Sequence, residues 1–195
     1  MAHPFLRPRR WLALALLAGL TPWILSPWPL PQAVALQAQG TTVAFVAQPR
    51  LIDSRTTRNL ASDGGAIYYL TVDVPAAAQV PMDRIVIRLD EGRDPTFRYR
   101  LGATQVWQTV GEERRAVTLG EVVEDRAAQT LTLNFDPPLP PGGTVTLALH
   151  PVRNPRWAGV YLFGVTAFPA GDVVQPRFMG FARLSFYEQD RHRWP

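Results

Sequence analysis

The chain has 195 residues, of which 47% are apolar and 18% are charged, with 19 Pro and no Cys. These proportions fit one globular domain with a short extra segment, and they exclude a coiled coil, a collagenous repeat and a disordered polyelectrolyte. The chain has no Lys, so its 20 cationic side chains besides His are all Arg. This excludes chemistry that depends on a Schiff-base lysine or on the phosphate-binding lysine of a P-loop.

The N-terminal segment is typical of an export signal. Arginines at positions 7, 9 and 10 precede the apolar run WLALALLAGL of residues 11–20, and the sequence AVA at 33–35 offers small residues for cleavage. The run is too short to span about 30 Å of hydrocarbon as a helix. Prolines at 22, 27, 29 and 31 oppose the alternative of an uncleaved anchor that continues to Leu25. We therefore predict a cleaved signal peptide over residues 1–35.

The mature part, residues 36–195, is nearly neutral, because without the three leader arginines the 16 acidic side chains almost balance the remaining Arg. Modules that bind nucleic acid carry a much stronger basic surface, so no nucleic-acid partner is expected. Export makes disulfides available, but this chain has no Cys to form them. A chain of this size can rely on its core alone, since it buries about 68–70% of its unfolded surface.

Beyond the leader, short runs alternate apolar and polar residues with period two, the pattern of strands that bury one face. The clearest runs are QTLTLNF at 129–135 and TVTLAL at 144–149, which we expect to form an antiparallel pair over one core. Single turns of helix are predicted only at 75–80 and 112–115. The other predicted strands are residues 42–48, 66–74, 84–89, 96–101, 116–119, 160–168 and 181–186.

Nine short strands separated by Gly-rich and Pro-rich turns predict an all-β fold. The expected architecture is an antiparallel β-sandwich, immunoglobulin-like in its general arrangement, formed by residues 36–195 with a short C-terminal tail. A closed β-barrel is the alternative.

Residue types that support catalysis are scarce. None of the four serines lies in a G-x-S-x-G motif or beside a His, and Cys and Lys are absent, which argues against a covalent mechanism. His150 and His192 lack carboxylate partners at ligand spacing, so we predict no metal site. No cofactor and no enzymatic activity are expected.

The densest acidic cluster is DEGRD at residues 90–94. It lacks the spacing of an EF-hand, and we interpret it as a solvated turn in which an Asp bonds its own backbone. With the acidic residues at 112, 113, 121, 124 and 125, it leaves a carboxylate-dependent glycan hydrolase as an alternative hypothesis. That reaction needs two carboxyl groups about 5 Å or 6.5–9.5 Å apart.

Five residues form the candidate ligand site: Arg98, Arg100, Arg153, Arg156 and Trp157. The first two share one face of a predicted strand, opposite Phe97, Tyr99 and Leu101, and the other three lie in one loop. Guanidinium groups bind carboxylate, sulfate or phosphate bidentately, and Trp can stack on a sugar or on Arg. These residues therefore predict an anionic polysaccharide or a lipid head group as the ligand. The ordinary alternative is a solvated strand face and a loop anchored in the core by Trp157.

Residues 151–171 (PVRNPRWAGVYLFGVTAFPAG) are the most individual stretch of the chain. Together with PRLID at 49–53, YYLTV at 68–72 and FARLSFY at 181–187, they resemble an uncharacterised family of exported cyanobacterial proteins known as a domain of unknown function. The resemblance covers approximately residues 43–188. It implies a single extracytoplasmic domain and supplies no catalytic residues.

We therefore expect an exported binding or structural module of the cell envelope, located in the periplasm, the extracellular space or a thylakoid lumen. Its expected partner is an envelope protein or an anionic glycan, and it would contact a membrane only through an uncleaved leader. The anionic polysaccharide or lipid binder and the glycan hydrolase remain the two alternatives.

Overall fold

The computed structural model describes residues 42–94 and 97–188. These residues form two five-stranded antiparallel sheets that do not close into a barrel, so the predicted β-sandwich is confirmed. The predicted signal peptide at 1–35, its cleavage site and His192 lie outside the described residues.

The chain passes between the two sheets five times. The first sheet has the order β1-β2-β8-β4-β5 and the second has the order β10-β9-β3-β7-β6. Single turns of 3-10 helix lie at Ala76–Ala78 and Leu101–Ala103, the first of them within a predicted helical turn. The strands are β1 Arg50–Thr56, β2 Tyr68–Asp73, β3 Met82–Glu91, β4 Gln105–Val110, β5 Glu113–Ala116, β6 Leu119–Asp125, β7 Thr130–Leu139, β8 Thr144–Leu149, β9 Gly159–Pro169 and β10 Arg177–Phe186.

The core lies between the sheets and consists of the inward residues of each strand. Leu131 and Leu133 of β7 face it from the second sheet, and Val145 and Leu147 of β8 face it from the first. All four are almost fully buried, as the period-two pattern of these two runs predicts.

The predicted pairing of these two runs is wrong, because β7 and β8 lie in different sheets. The chain crosses between the sheets at residues 140–143, where Gly142 and Gly143 both have positive φ. Val74 fixes the crossing: its N–H donates to the carbonyl of Gly143 at 2.9 Å, and its carbonyl accepts from the N–H of Gly142 at 2.9 Å. These bonds start β8 beside β2 instead of beside β7.

Four further predictions of local structure are wrong. Residues 42–48 make only an isolated bridge from Val43 to Val174, and the described part of 96–101 makes only one from Tyr99 to Pro151. Residues 116–119 are the passage from β5 to β6, and the predicted helical turn at 112–115 belongs to the hairpin of β4 and β5. Strands β1, β4, β5 and β6 were not predicted.

Both sides of the sandwich are tied together. On one side β5 continues directly into β6, and the N–H of Val117 donates to the carbonyl of Val106 at 2.9 Å. On the other side β1 meets β10 through the Ser54 hydroxyl, which accepts from the N–H of Arg183 at 3.2 Å and donates to its carbonyl at 3.4 Å. The edge strands of the two sheets are therefore linked by a side chain rather than by a backbone ladder.

Candidate functional site

The loop between β8 and β9 lies against the segment before the second 3-10 turn. The N–H of Val152 donates to the carbonyl of Arg98, and the N–H of Arg100 donates to the carbonyl of His150, both at 2.8 Å. Phe97 turns inward and its ring meets that of Phe163 edge-on at 5.0 Å. The predicted alternation of exposed Arg and buried aromatic residues is thus confirmed, although the segment is not an extended strand.

Asn154 is the anchor of this loop and is 1% exposed. Its Oδ1 accepts from the Tyr68 hydroxyl at 2.8 Å, and its Nδ2 donates to the carbonyls of Arg58 and Leu60 at 3.0 and 2.9 Å. Its own N–H donates to the carbonyl of Asp63 at 2.7 Å. One buried amide therefore joins the β8–β9 loop to the β1–β2 loop and to the core.

Asp94 is the second support of the loop. Its Oδ2 accepts from the N–H of Arg156 at 2.7 Å. Within the acidic cluster at residues 90–94, which we interpret as a turn in which an Asp bonds its own backbone, Asp94 therefore also contacts a distant loop. Asp125 does make such a turn, since its Oδ1 accepts from the N–H groups of Ala127 and Ala128.

A cleft of about 430 Å³ opens between the β8–β9 loop and the segment that carries Phe97 and Arg98. We call it the Arg/Trp cleft. It brings together four of the five candidate residues, whereas Arg100 does not line it and instead directs a guanidinium N–H to the carbonyl of Val152 at 3.5 Å. The alternative in which Trp157 anchors the loop in the core is wrong, because its side chain is 51% exposed. The lining consists of Asp94, Phe97, Arg98, Val152, Arg153, Asn154, Pro155, Arg156 and Trp157.

The Arg/Trp cleft concentrates positive charge. Among the described residues, Arg98, Arg153 and Arg156 make no ion pair with a carboxylate, whereas six Arg side chains elsewhere do, such as Arg115 with Glu113 at 2.7 Å. One carboxylate, that of Asp94, lines the cleft beside these three arginines. The guanidinium of Arg156 lies 5.2 Å from the centre of the Trp157 ring, within the range of a cation–π contact. The cleft therefore presents guanidinium donors and one exposed indole face.

Two buried tyrosines lie beneath the loop. The Tyr68 hydroxyl bonds to Asn154, and the Tyr161 hydroxyl donates to the carbonyl of Trp157 at 2.9 Å. Burial raises the pKa of both phenols above the usual value, with the neighbouring Tyr99 adding to the effect at Tyr68 and Asp94 adding to it at Tyr161. Both phenols therefore stay protonated, as hydrogen-bond donors, at a pH at which an exposed tyrosine ionises.

We expect this burial to make the protein sensitive to alkali. The unfolded chain loses its tyrosine protons near pH 10 while the folded protein keeps those of Tyr68 and Tyr161, so the free energy of unfolding should fall as the pH rises above about 10. Urea unfolding at several pH values measures this effect. The fall should be smaller in Tyr68→Phe, and an equal fall in that variant would contradict the assignment.

Two carboxylates of the hydrolase hypothesis, Glu124 and Glu113, have structural partners. Oε1 of Glu124 accepts from the N–H of Tyr99 at 2.9 Å, and its Oε2 pairs with Arg126 at 3.3 Å. The hydrogen bond and charge of Arg115 lower the pKa of the exposed Glu113. These groups act as partners of backbone and Arg.

The fold and the cleft define an all-β sandwich that carries a basic surface site on its loops. A model of the family described as "Protein of unknown function (DUF2808)" matches residues 42–186, and the chain belongs to this family. The match agrees with the resemblance to a domain of unknown function over approximately residues 43–188. None of the curated proteins matches the chain.

Comparison with solved structures finds likenesses of low identity and low TM-score. A pilus 2b backbone protein of group B streptococcus is similar with a TM-score of 0.43 and 13% identity, over 68% of this chain and 56% of that protein. The collagen-binding subdomain ACE19 of an Enterococcus faecalis surface protein gives a TM-score of 0.41 and 10% identity, over 68% and 95%. At these scores the likeness concerns the fold alone. Helix in the described ranges is limited to two single turns, and none of it has the length and hydropathy of a membrane span.

Proposed function

We propose that this protein is an exported, non-catalytic binding module of the cell envelope, and that it holds an anionic polysaccharide in the Arg/Trp cleft. The observation that carries this proposal is the convergence of Arg98, Arg153 and Arg156 on one cleft beside the exposed ring of Trp157. Export rests on the predicted leader at residues 1–35.

The chemistry of the cleft matches a charged sugar chain. A guanidinium group binds a carboxylate or sulfate through two parallel hydrogen bonds. The half-exposed indole of Trp157 offers an apolar face on which a sugar ring can stack. The volume of about 430 Å³ falls within the range of about 300–1,000 Å³ that is usual for ligand sites.

A concave site favours a chain over a bilayer, because a flat lipid surface cannot enter a cleft whose walls are two loops. The backbone around the site is fixed by Asn154 and Asp94, so the chain that carries Arg153 and Arg156 is already in place before a ligand arrives. Such preorganisation reduces the entropy lost on binding.

We expect the full-length protein to bind polygalacturonate and dextran sulfate but not neutral dextran, with an affinity that falls as salt is added. The double variant Arg153→Ala, Arg156→Ala should bind these polyanions at least about tenfold more weakly, because charge-assisted hydrogen bonds are lost. Affinity electrophoresis at low and high ionic strength measures both effects.

The matched control is Arg55→Ala, Arg115→Ala, which removes the same charge from exposed ion pairs outside the cleft. Equal weakening in both double variants would mean unspecific attraction and would overturn the proposal. Binding only to phosphatidylglycerol vesicles would replace the sugar chain with a lipid head group. Absence of binding to all of these probes would favour an envelope protein as the partner.

A further inference from the structure

The outward face of the first sheet carries an aromatic surface on strands β2 and β4. The rings of Tyr69 and Trp107 meet edge-to-face at 6.1 Å across the intervening strand β8. Ala148 of β8 pairs with Tyr69 and points outward with it, yet it is only 3% exposed. An outward alanine is buried in this way when larger side chains cover it. The two rings therefore form a packed surface on the solvent side of the sheet.

Arginine side chains lie against both rings. The guanidinium of Arg55 lies 4.6 Å from the centre of the Tyr69 ring, and that of Arg114 lies 3.8 Å from the centre of the Trp107 ring. Arg114 reaches Trp107 diagonally, because the residue directly opposite Trp107 on β5 is Ala116. The small side chain of Ala116 leaves space beside the indole.

That space is a hollow of about 560 Å³, which we call the Trp107 hollow. Its exposed lining is divided about equally between polar and apolar atoms, so an aromatic ring lies beside hydrogen-bonding groups. No acidic side chain lines it, and its single charged group is the Arg114 guanidinium already stacked on Trp107. The lining residues are Thr104, Gln105, Val106, Trp107, Arg114, Ala116, Val117 and Leu119.

The polar groups open to the hollow are those of Gln105 and Arg114, and they favour a ligand rich in hydrogen-bonding groups over a hydrocarbon. Thr104 also lines the hollow, but its Oγ1 is buried and out of reach of a ligand there.

We propose that the Trp107 hollow binds a neutral sugar residue of a polysaccharide. The apolar face of the pyranose ring packs against the indole, and its hydroxyl groups bond to Gln105 and Arg114 at the rim. This site is separate from the Arg/Trp cleft and shares no lining residue with it. The ligand also differs, since one guanidinium held on an aromatic ring gives little attraction for a polyanion.

Affinity electrophoresis of the full-length protein in gels containing hydroxyethylcellulose, glucomannan, dextran or glycogen tests the proposal. At least one of these neutral polysaccharides should retard the protein, equally at low and high salt. Trp107→Ala should weaken that binding about tenfold or more, the loss expected when an aromatic anchor is truncated.

A second variant removes no group and so separates binding from folding. Ala116 is exposed on β5, and Ala116→Ile fills the hollow with a residue that suits a strand. It should abolish retardation without lowering the melting temperature, whereas Trp157→Ala in the Arg/Trp cleft should leave retardation unchanged. The proposal is overturned by absence of retardation in all four gels, or by full retardation of Ala116→Ile. Because the ligands and residues differ, failure of either proposal leaves the other standing.

Discussion

Replacing Asn154 with Ala is expected to lower the free energy of unfolding by about 2–4 kcal/mol, since a buried group left unpaired costs about 1–3 kcal/mol and each further lost hydrogen bond about 0.5–1.5 kcal/mol. The variant loses three hydrogen bonds of a side chain that is 1% exposed. It leaves the buried Tyr68 hydroxyl without its acceptor, whereas the carbonyl of Arg58 keeps the Thr56 hydroxyl and that of Leu60 keeps the N–H of Asp63. Urea unfolding followed by circular dichroism measures the change.

The matched control is Asn59→Ala, which truncates an exposed amide in the loop that Asn154 holds. It should change the free energy of unfolding by no more than about 0.5 kcal/mol. Equal losses in the two variants would show that the buried amide does not anchor the loops. Binding of polyanions by Asn154→Ala at a temperature where it is folded would report whether the same anchor positions the Arg/Trp cleft.

The second large effect is expected from Gly143→Ala, at the crossing between the sheets. Gly143 has a φ of +79°, and a Cβ at this position would collide with the carbonyl of Thr109 on β4. Because the obstacle is backbone, it cannot rotate away as a side chain would. We expect a loss of about 3 kcal/mol or more, the sum of left-handed strain and displacement of β4 from β8.

Gly65→Ala separates these two contributions. Gly65 has a similar φ of +74°, but a Cβ there meets nothing within 4 Å. Its substitution should cost only the backbone strain, about 1–2 kcal/mol. If thermal or urea unfolding shows equal losses at the two glycines, the collision with Thr109 does not govern the crossing.

Strands were predictable from the sequence where every inward residue is apolar, as in β2, β7 and β8. Strand β4 was missed because its inward positions are Val106 and Gln108, and the latter is 9% exposed. The side-chain amide of Gln108 is satisfied without water, because it donates to the carbonyls of Pro140 and Gly142. A polar residue at an inward position interrupts the period-two pattern of the sequence. Its hydrogen-bond partners lie in a distant loop, so they become visible only in the tertiary structure.

Two other missed strands are irregular or exposed. In β1 the pairing register shifts between Leu51 and Asp53, so a bulge interrupts the alternation that the sequence would otherwise show. Every residue of β5 is exposed, which leaves no apolar face to recognise. Edge strands of this kind carry little hydrophobic signal.

The candidate site was predicted in part. Residue type and position in one loop were enough to group Arg153, Arg156 and Trp157, and the alternation around Arg98 predicted its exposure. The supports were missed: the sequence did not indicate that Asn154 links two loops through its buried side chain. Arg100 shares a face with Arg98 but lies outside the cleft lining, because the chain enters a 3-10 turn directly after it.

The pairing of β2 with β8 also governs the order in which the sandwich can assemble. Thr71 and Thr146 lie side by side in that pair, although they are 75 positions apart in the chain. During synthesis, β1 and β2 can meet early as a hairpin, but the centre of the first sheet has no partner until β8 has emerged. Folding limited by such distant pairings takes about milliseconds to seconds. The chain therefore stays unfolded, with its apolar strands uncovered, until most of its length has been made.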